Sequence, residues 1–382
     1  MALYLAFKEM WRNRGRFLLF SLVIALITVL VLFIAALADG LGNGNKEYIE
    51  KLNGDLVVYK KDVDLSIGAS RIDRLKLNEI RRVPGVRDAG QVSFASVVLM
   101  MGERKINVAL IGVEPGKPGE PPVLKGSGLE ERRAKEAIID QNVVARTGLG
   151  VGDEITLKSI QGTREEFYTL RVTGVSDGRQ FSLQPALIVP QLTFERIKPG
   201  AAAGDTQAEL ISNIAVVQLD DPANWKAMAN TLESQVSDIR AVDLKTAYEN
   251  TPGYSAQQST LNTQRFFSLL IGVLVIGGFF QIQTLQKVPQ IGMLKAIGAP
   301  NLAIGIAAMT QIVMVTLIGV AIGTIVTLGL SLTFPSTVPI VFSANAIILG
   351  IVSLMSIGPV GGLVSIRYAL RVEPLTALGL AA

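Results

Sequence analysis

The stretch FLLFSLVIALITVLVLFIAALA at residues 17–38 carries no charge from end to end, with Arg14 and Arg16 before it and Asp39 after it. A hydrocarbon core of roughly 30 Å demands a helix of about 20 apolar residues, and this run meets that length. Three more apolar runs predict spans at residues 265–285, 302–330 and 344–365. Residues 39–264, between the first and second runs, read instead as ordinary folded-domain sequence. The expected fold is an α-helical membrane protein with four transmembrane helices, plus a mixed α+β extracytoplasmic domain inserted between helices 1 and 2. Function in such a layout must link the two faces of a membrane.

Composition agrees. The chain is 49% hydrophobic and only 18% charged, against about a quarter charged in soluble domains. The net charge of +4 would suit nucleic acid, but its distribution points to membrane orientation. Lys8, Arg12, Arg14 and Arg16 precede the first span, Lys287 and Lys295 lie between the second and third, and Arg367 and Arg371 follow the fourth. Only Glu9 and Glu373 oppose them in those segments. The positive-inside rule then places residues 1–16, 286–301 and 366–382 in the cytoplasm and residues 39–264 and 331–343 outside. An even number of spans puts both termini on the same side, as the charges require. Membrane lipid is an expected partner, and nucleic acid is not.

The start of the chain shares features with a secretory signal, including Ala36-Leu37-Ala38 before a charged residue. Its apolar run is longer than the usual span of about 7–15 residues, which favours a retained anchor. Tyr4, Phe7, Met10 and Trp11, interleaved with basic residues, are spaced for an amphipathic helix on the inner membrane surface; a plain extension of the first span is the alternative.

Cysteine and histidine are both absent. That excludes disulfides, the usual zinc sites, Cys–His nucleophiles and Ser–His–Asp triads. The outer domain must therefore fold on its own core. Strands are expected near residues 55–59, 90–100, 106–113, 154–160, 165–176, 185–190, 214–219 and 239–243, with helices near 77–83 and 222–236. The flanking β/α pieces suggest a split βαβ module, with a β-rich lobe at about 125–200. The Gly- and Pro-rich residues 114–128 suggest a hinge between the two. The alternate glycines of residues 39–45 suggest a turn or helix break, and those of residues 148–152 a turn. Gly319/Gly323 and Gly358/Gly362 in the spans suit close helix packing.

Nothing matches the Walker phosphate-binding loop, Gly-x4-Gly-Lys-Ser/Thr, so this chain does not hydrolyse ATP by itself. The cytoplasmic connector VPQIGMLKAIGAP at residues 288–300 is unusual for its place. Pro289 suits a helix start and Gly298 a helix end. Ile291, Met293, Leu294 and Ile297 give that helix an apolar face, which reads as a partner-binding surface or as an interfacial helix touching lipid. Gln281, Gln283 and Gln311 are the main polar groups within the spans, too few to line a hydrophilic pore.

The connector resembles the coupling helix of the FtsX/MacB-type permeases of ABC transporters. The stretches AFKEMWRNR at 6–14 and IRYALRVEPLTAL at 366–378 resemble the same family's two ends. The resemblance implies a homodimeric permease in a bacterial cytoplasmic membrane, multi-pass with both termini cytoplasmic. It would carry no cofactor of its own, its ATP and Mg residing on a separate cytoplasmic ABC ATPase subunit. ATPase coupling falls to Gln290, Ile291, Gly292, Met293, Leu294, Lys295, Ala296, Ile297 and Gly298.

Residues 248–261, YENTPGYSAQQSTL, and 285–295 further resemble heme-efflux permeases of the HrtB type. That likeness implies heme as the transported substrate. Without His or Cys, an iron ligand must be an oxygen donor or Met, and ferric iron is hard. Glu249 is the expected heme-iron ligand, with Tyr248 and Tyr254 beside it. The alternatives are a signalling permease acting on an external partner, a pump driving an outer-membrane channel, and an exporter of a lipid or antimicrobial peptide.

Overall fold

The computed structural model describes residues 8, 11–200, 211–334 and 340–371. The expected surface helix at Tyr4, Phe7 and Met10 lies outside them, as does most of the cytoplasmic tail. The chain forms two compact units, Leu41–Gln257 and the apolar remainder.

The first element, α1 (Arg14–Glu50), is one uninterrupted helix, so the break expected at residues 39–45 does not occur. Gly44 is there for close approach. Its carbonyl accepts from Leu183 N–H at 3.0 Å, and a Cβ on it would sit 2.3 Å from the Leu183 side chain. After α1 come β1 (Leu56–Lys60), α2 (Arg74–Arg82), β2 (Val86–Met101), β3 (Arg104–Val113), β4 (Val123–Gly126), β5 (Glu136–Asp140) and α3 (Gln141–Thr147). Then follow β6 (Glu154–Gln161), β7 (Arg164–Ser176), β8 (Gln180–Phe181), β9 (Gln184–Pro190), α4 (Gln191–Ile197) and β10 (Ile214–Leu219). The unit ends with α5 (Trp225–Gln235), β11 (Ile239–Asp243) and α6 (Leu244–Glu249).

Strands run in the order β11-β1-β10-β2-β3-β9-β5-β7-β4. The pairs among β11, β1, β10 and β2 are antiparallel, so β10 lies between β1 and β2, and β1 between β10 and β11. Two interleaved split βαβ units result, the topology expected from the residue order. Alternation then decides the faces. Leu56 and Val58 pack with Leu77 and Ile80 of α2 and Leu232 of α5, while Val57 and Tyr59 pack with Tyr48 and Ile49 of α1 and with Leu52 just after it. Because β6 pairs with both β2 and β7, strands β2-β3-β9-β5-β7-β6 close into a barrel. Leu99, Leu110, Ile139, Leu157, Val172 and Leu187 fill it. The β8–β9 turn places Ser182 and Leu183 at positive φ (50° and 64°), the signature of a two-residue hairpin loop.

The hinge expected at residues 114–128 is instead strapped down. Buried Glu114 bonds Arg81 at 2.5 Å and also Arg132. Glu120 accepts from Gly116 N–H and Leu129 N–H at 2.6 and 3.0 Å, and β4 pairs with β7. Glycine and proline here mark a tight path, and the side chains around them remove the freedom that composition alone suggested.

The apolar unit continues with α7 (Tyr254–Gln286), α8 (Val288–Ala296), α9 (Asn301–Ser331) and α10 (Ala344–Arg371). Helices α1, α7 and α9 are long and apolar enough to cross a membrane, and α10 adds the apolar stretch Ile347–Leu363. Their shared core includes Ile24, Val31, Ile276, Phe280, Ile312, Val315 and Ile357. Small residues set the crossings within the chain: a Cβ on Gly323 would meet Ala25 O at 2.6 Å and Thr28 Cβ at 2.5 Å. A leucine there cannot be accommodated by rotamer change, since one neighbour is backbone. Gly323→Leu should cost about 1–3 kcal/mol, read as a lower thermal midpoint of the full-length protein in detergent. An unchanged midpoint would mean that α1 and α9 do not touch at this level.

Candidate functional site

Helix α8 is built as its sequence suggested. Pro289 sits in its first turn, Ile297 caps its end, and Gly298 follows at φ +93°. Helical geometry then sorts its side chains, because residues three or four apart share a face. Ile291 is buried against Ile304 and Ala299, and Gly292 is buried too. Ile291 therefore leaves the expected exposed face: it is the anchor that seats α8. Lys295 leans the same way, its Nζ donating to Leu370 O at 2.8 Å. Gln290, Met293, Ala296 and Ile297 point outward, with Met293 59% and Ile297 77% exposed. Leu294 lies between the two faces at 40%. Apolar side chains exposed together in this way commonly mark protein-binding surfaces.

The second cluster lies in the Leu41–Gln257 unit. Helix α6 ends on Glu249, where the Asn250 N–H closes back onto Thr246 O, and Gly253 turns the chain at φ +86° into α7. That turn brings Tyr248 and Tyr254 together, their rings 6.1 Å apart at 75°. Tyr248 is half-buried against the core that includes Ala247 and Tyr48. Glu249 is solvent-facing, its side chain 50% exposed and 3.8 Å from Lys245. An exposed pair of this length contributes little, so the carboxylate is available to another partner.

Sequence reasoning missed two members. Lys46 stands 5.7 Å from the Tyr248 ring centroid and pairs with Glu50 at 3.4 Å. Both ride on the part of α1 that was expected to be past a helix break; their i,i+4 spacing was the signal available. Burial raises the Tyr248 pKa above the usual phenol value, and Glu50 adds to that, with Lys46 opposing. Tyr248 therefore stays a phenol at neutral pH, and the carboxylate oxygens of this group come from Glu249 and from Glu50, the latter paired with Lys46.

A domain carrying a split βαβ sheet and a barrel, inserted after the first of several apolar helices, together with a short helix that exposes apolar side chains in the apolar unit, defines a class. Residues 17–235 match the MacB-like periplasmic core domain, and residues 265–374 match the FtsX-like permease C-terminal domain. The chain belongs to the FtsX/MacB-type permeases of ABC transporters, and its matched domains are those of the permease. Among its relatives is a Staphylococcus haemolyticus protein with the provisional name hemin transport system permease protein HrtB. It is 25% identical over 98% of this chain and 99% of its own length. An uncharacterized ABC transporter permease of Mycobacterium bovis is also 25% identical, over 97% of each chain. The solved periplasmic region of MacB from Actinobacillus actinomycetemcomitans overlays with a TM-score of 0.36 at 16% identity, covering 54% of this chain and 97% of that one.

Proposed function

We propose that this permease exports heme from a bacterial cytoplasmic membrane. It would work as a homodimer with both termini cytoplasmic, driven by a separate ABC ATPase that binds α8 and carries the ATP and Mg. Membrane boundaries near 17–38, 265–285, 302–330 and 344–365 belong to this reading, as does the outward placement of residues 39–264. The observation that carries it is the exposed Glu249 carboxylate beside Tyr248 and Tyr254, in a chain with no His or Cys. The full-length likeness to a hemin transport permease supports it.

Each part of the cluster suits a different part of the substrate. Carboxylate oxygen is a hard donor for ferric iron. The two tyrosine rings offer apolar faces to a porphyrin, and the Lys46 ammonium offers a charge to a propionate. In a twofold dimer, a Glu249 from each subunit would repel its mate, and the cationic iron centre would relieve that repulsion. Heme binding and subunit closure are then linked. Glu249→Ala in the purified permease should weaken heme binding at least tenfold, about 1.4 kcal/mol, in an absorption titration. An unchanged titration would overturn the ligand assignment while leaving the permease class intact.

A further inference from the structure

Strand β7 is paired along the whole of one flank and only part of the other. Facing β6 it is matched from Gln161↔Arg164 to Glu154↔Arg171. On the opposite flank β5 joins it only from Arg171 onward. Among the described residues, nothing pairs with that flank over residues 164–170. The β6–β7 loop decides which backbone groups are left over. Gly162, at φ +61°, and Thr163 form a two-residue turn that closes on the pair Gln161↔Arg164. Narrow and wide pairs then alternate along the ladder, so Glu165, Phe167 and Thr169 turn their N–H and C=O groups away from β6. Phe167, the middle one, is 57% exposed, as is its diagonal neighbour Ile160 on β6. An unpaired edge of this kind is a template for another strand. At the far end of the sheet order, β11 carries a guard instead: its Ala241 N–H donates to Glu233 Oε1 of α5 at 2.9 Å.

We propose that the open edge of β7 pairs with the same edge of a second copy of this chain, antiparallel and about a twofold axis at Phe167. The open stretch begins at the hairpin and ends where β5 takes over, so Phe167 is its midpoint. This register sets Phe167 against its own copy and Glu165 against Thr169 of the partner subunit. Every left-over backbone group is then used, each narrow pair exchanging two bonds. Like charges stay apart: Glu166 meets Tyr168 of the partner subunit, and Glu165 is already held by Lys158 of its own chain. An axis at Glu166 would set that carboxylate against itself, which is destabilising. An axis at Tyr168 would need Arg171, whose N–H already donates to Lys135 O at 2.9 Å. A twofold contact requires a patch complementary to itself, and this stretch meets that requirement at one register. The inference rests on the homodimer reading for its partner and not on heme; it adds a surface through which two outer domains join.

The chain has no cysteine, so a single introduced thiol reports its own neighbour. Cα atoms of a narrow antiparallel pair lie about 5.5 Å apart, within the roughly 4.4–6.8 Å that a disulfide spans. Full-length Phe167→Cys, oxidised in membranes with copper phenanthroline and run without reductant, should form a covalent dimer. Glu165→Cys is the control, since its Cα would stand about 14 Å from its own copy along the strand. Its dimer should be at least about tenfold weaker, because no disulfide reaches that far. Coexpressing Glu165→Cys with Thr169→Cys chains should restore the dimer, and this pair carries the test if Phe167→Cys fails to fold by its thermal midpoint. Equal yields from Phe167→Cys and Glu165→Cys, or no dimer from any folded variant, overturn the proposal. Native mass spectrometry of the same samples separates the two readings: a dimeric mass without the cross-link keeps the homodimer and removes the β7 contact, whereas a monomeric mass removes both. A cross-link from Phe167→Cys to a chain of another mass would assign the edge to a different protein and overturn the proposal as well.

Discussion

Replacing Met293 and Ile297 together by glutamate is expected to abolish capture of the ATPase subunit while leaving the permease folded. Both side chains stand out from α8, 59% and 77% exposed, so in the free permease the new carboxylates remain in water. In the complex they would enter an apolar contact, where an unpaired charge costs several kcal/mol. Even 1.4 kcal/mol is tenfold, so copurification and ATP-driven transport should fall at least that far. Gly292→Glu would be a poorer probe, because Gly292 is buried and its replacement tests the seating of α8. Full copurification of the Met293→Glu, Ile297→Glu double variant would remove α8 from the docking surface.

The second large effect lies in the outer domain. Glu114→Ala should destabilise it by about 3 kcal/mol. Glu114 is 5% exposed and joins Arg81 of α2 to Arg132. Removing it strands the Arg81 guanidinium, which keeps a bond from Nε to Ala89 O at 2.7 Å. Breaking a buried pair from one side typically costs about 3–5 kcal/mol; the lower end applies because Arg132 is half-exposed. Denaturant unfolding of the full-length protein, followed by proteolysis of the outer domain, measures the loss. Glu114→Gln should recover part of it through neutral hydrogen bonds. A variant as resistant as the wild type would show that the strap contributes nothing to stability.

Much of this architecture was legible because it is local. Spans announce themselves by apolar length, α8 by Pro289 and Gly298, and β10 by alternation over Ile214–Leu219. What the sequence concealed depends on partners far along the chain. The glycines near residue 44 look like a break until Leu183 is seen packing on one of them. Barrel closure needs β6 to find β2 at Val98–Met100, a pairing that no local pattern encodes. Ile291 looked equivalent to Met293 in composition, and only the position of Ile304 separates anchor from knob. In the Glu249 cluster, the resemblance of residues 248–261 and the need for oxygen donors point to the tyrosines, but Lys46 required the knowledge that α1 does not stop.

Strand β2 has one further consequence. Its first half is hydrogen-bonded to β10 and its second half to β6, so a single piece of backbone is stitched into both the open sheet and the closed barrel. Shearing one against the other would tear a ladder from end to end, and packed interiors resist gradual deformation. The open sheet and the barrel are therefore joined through the backbone of one strand, and a displacement of either must pass through β2.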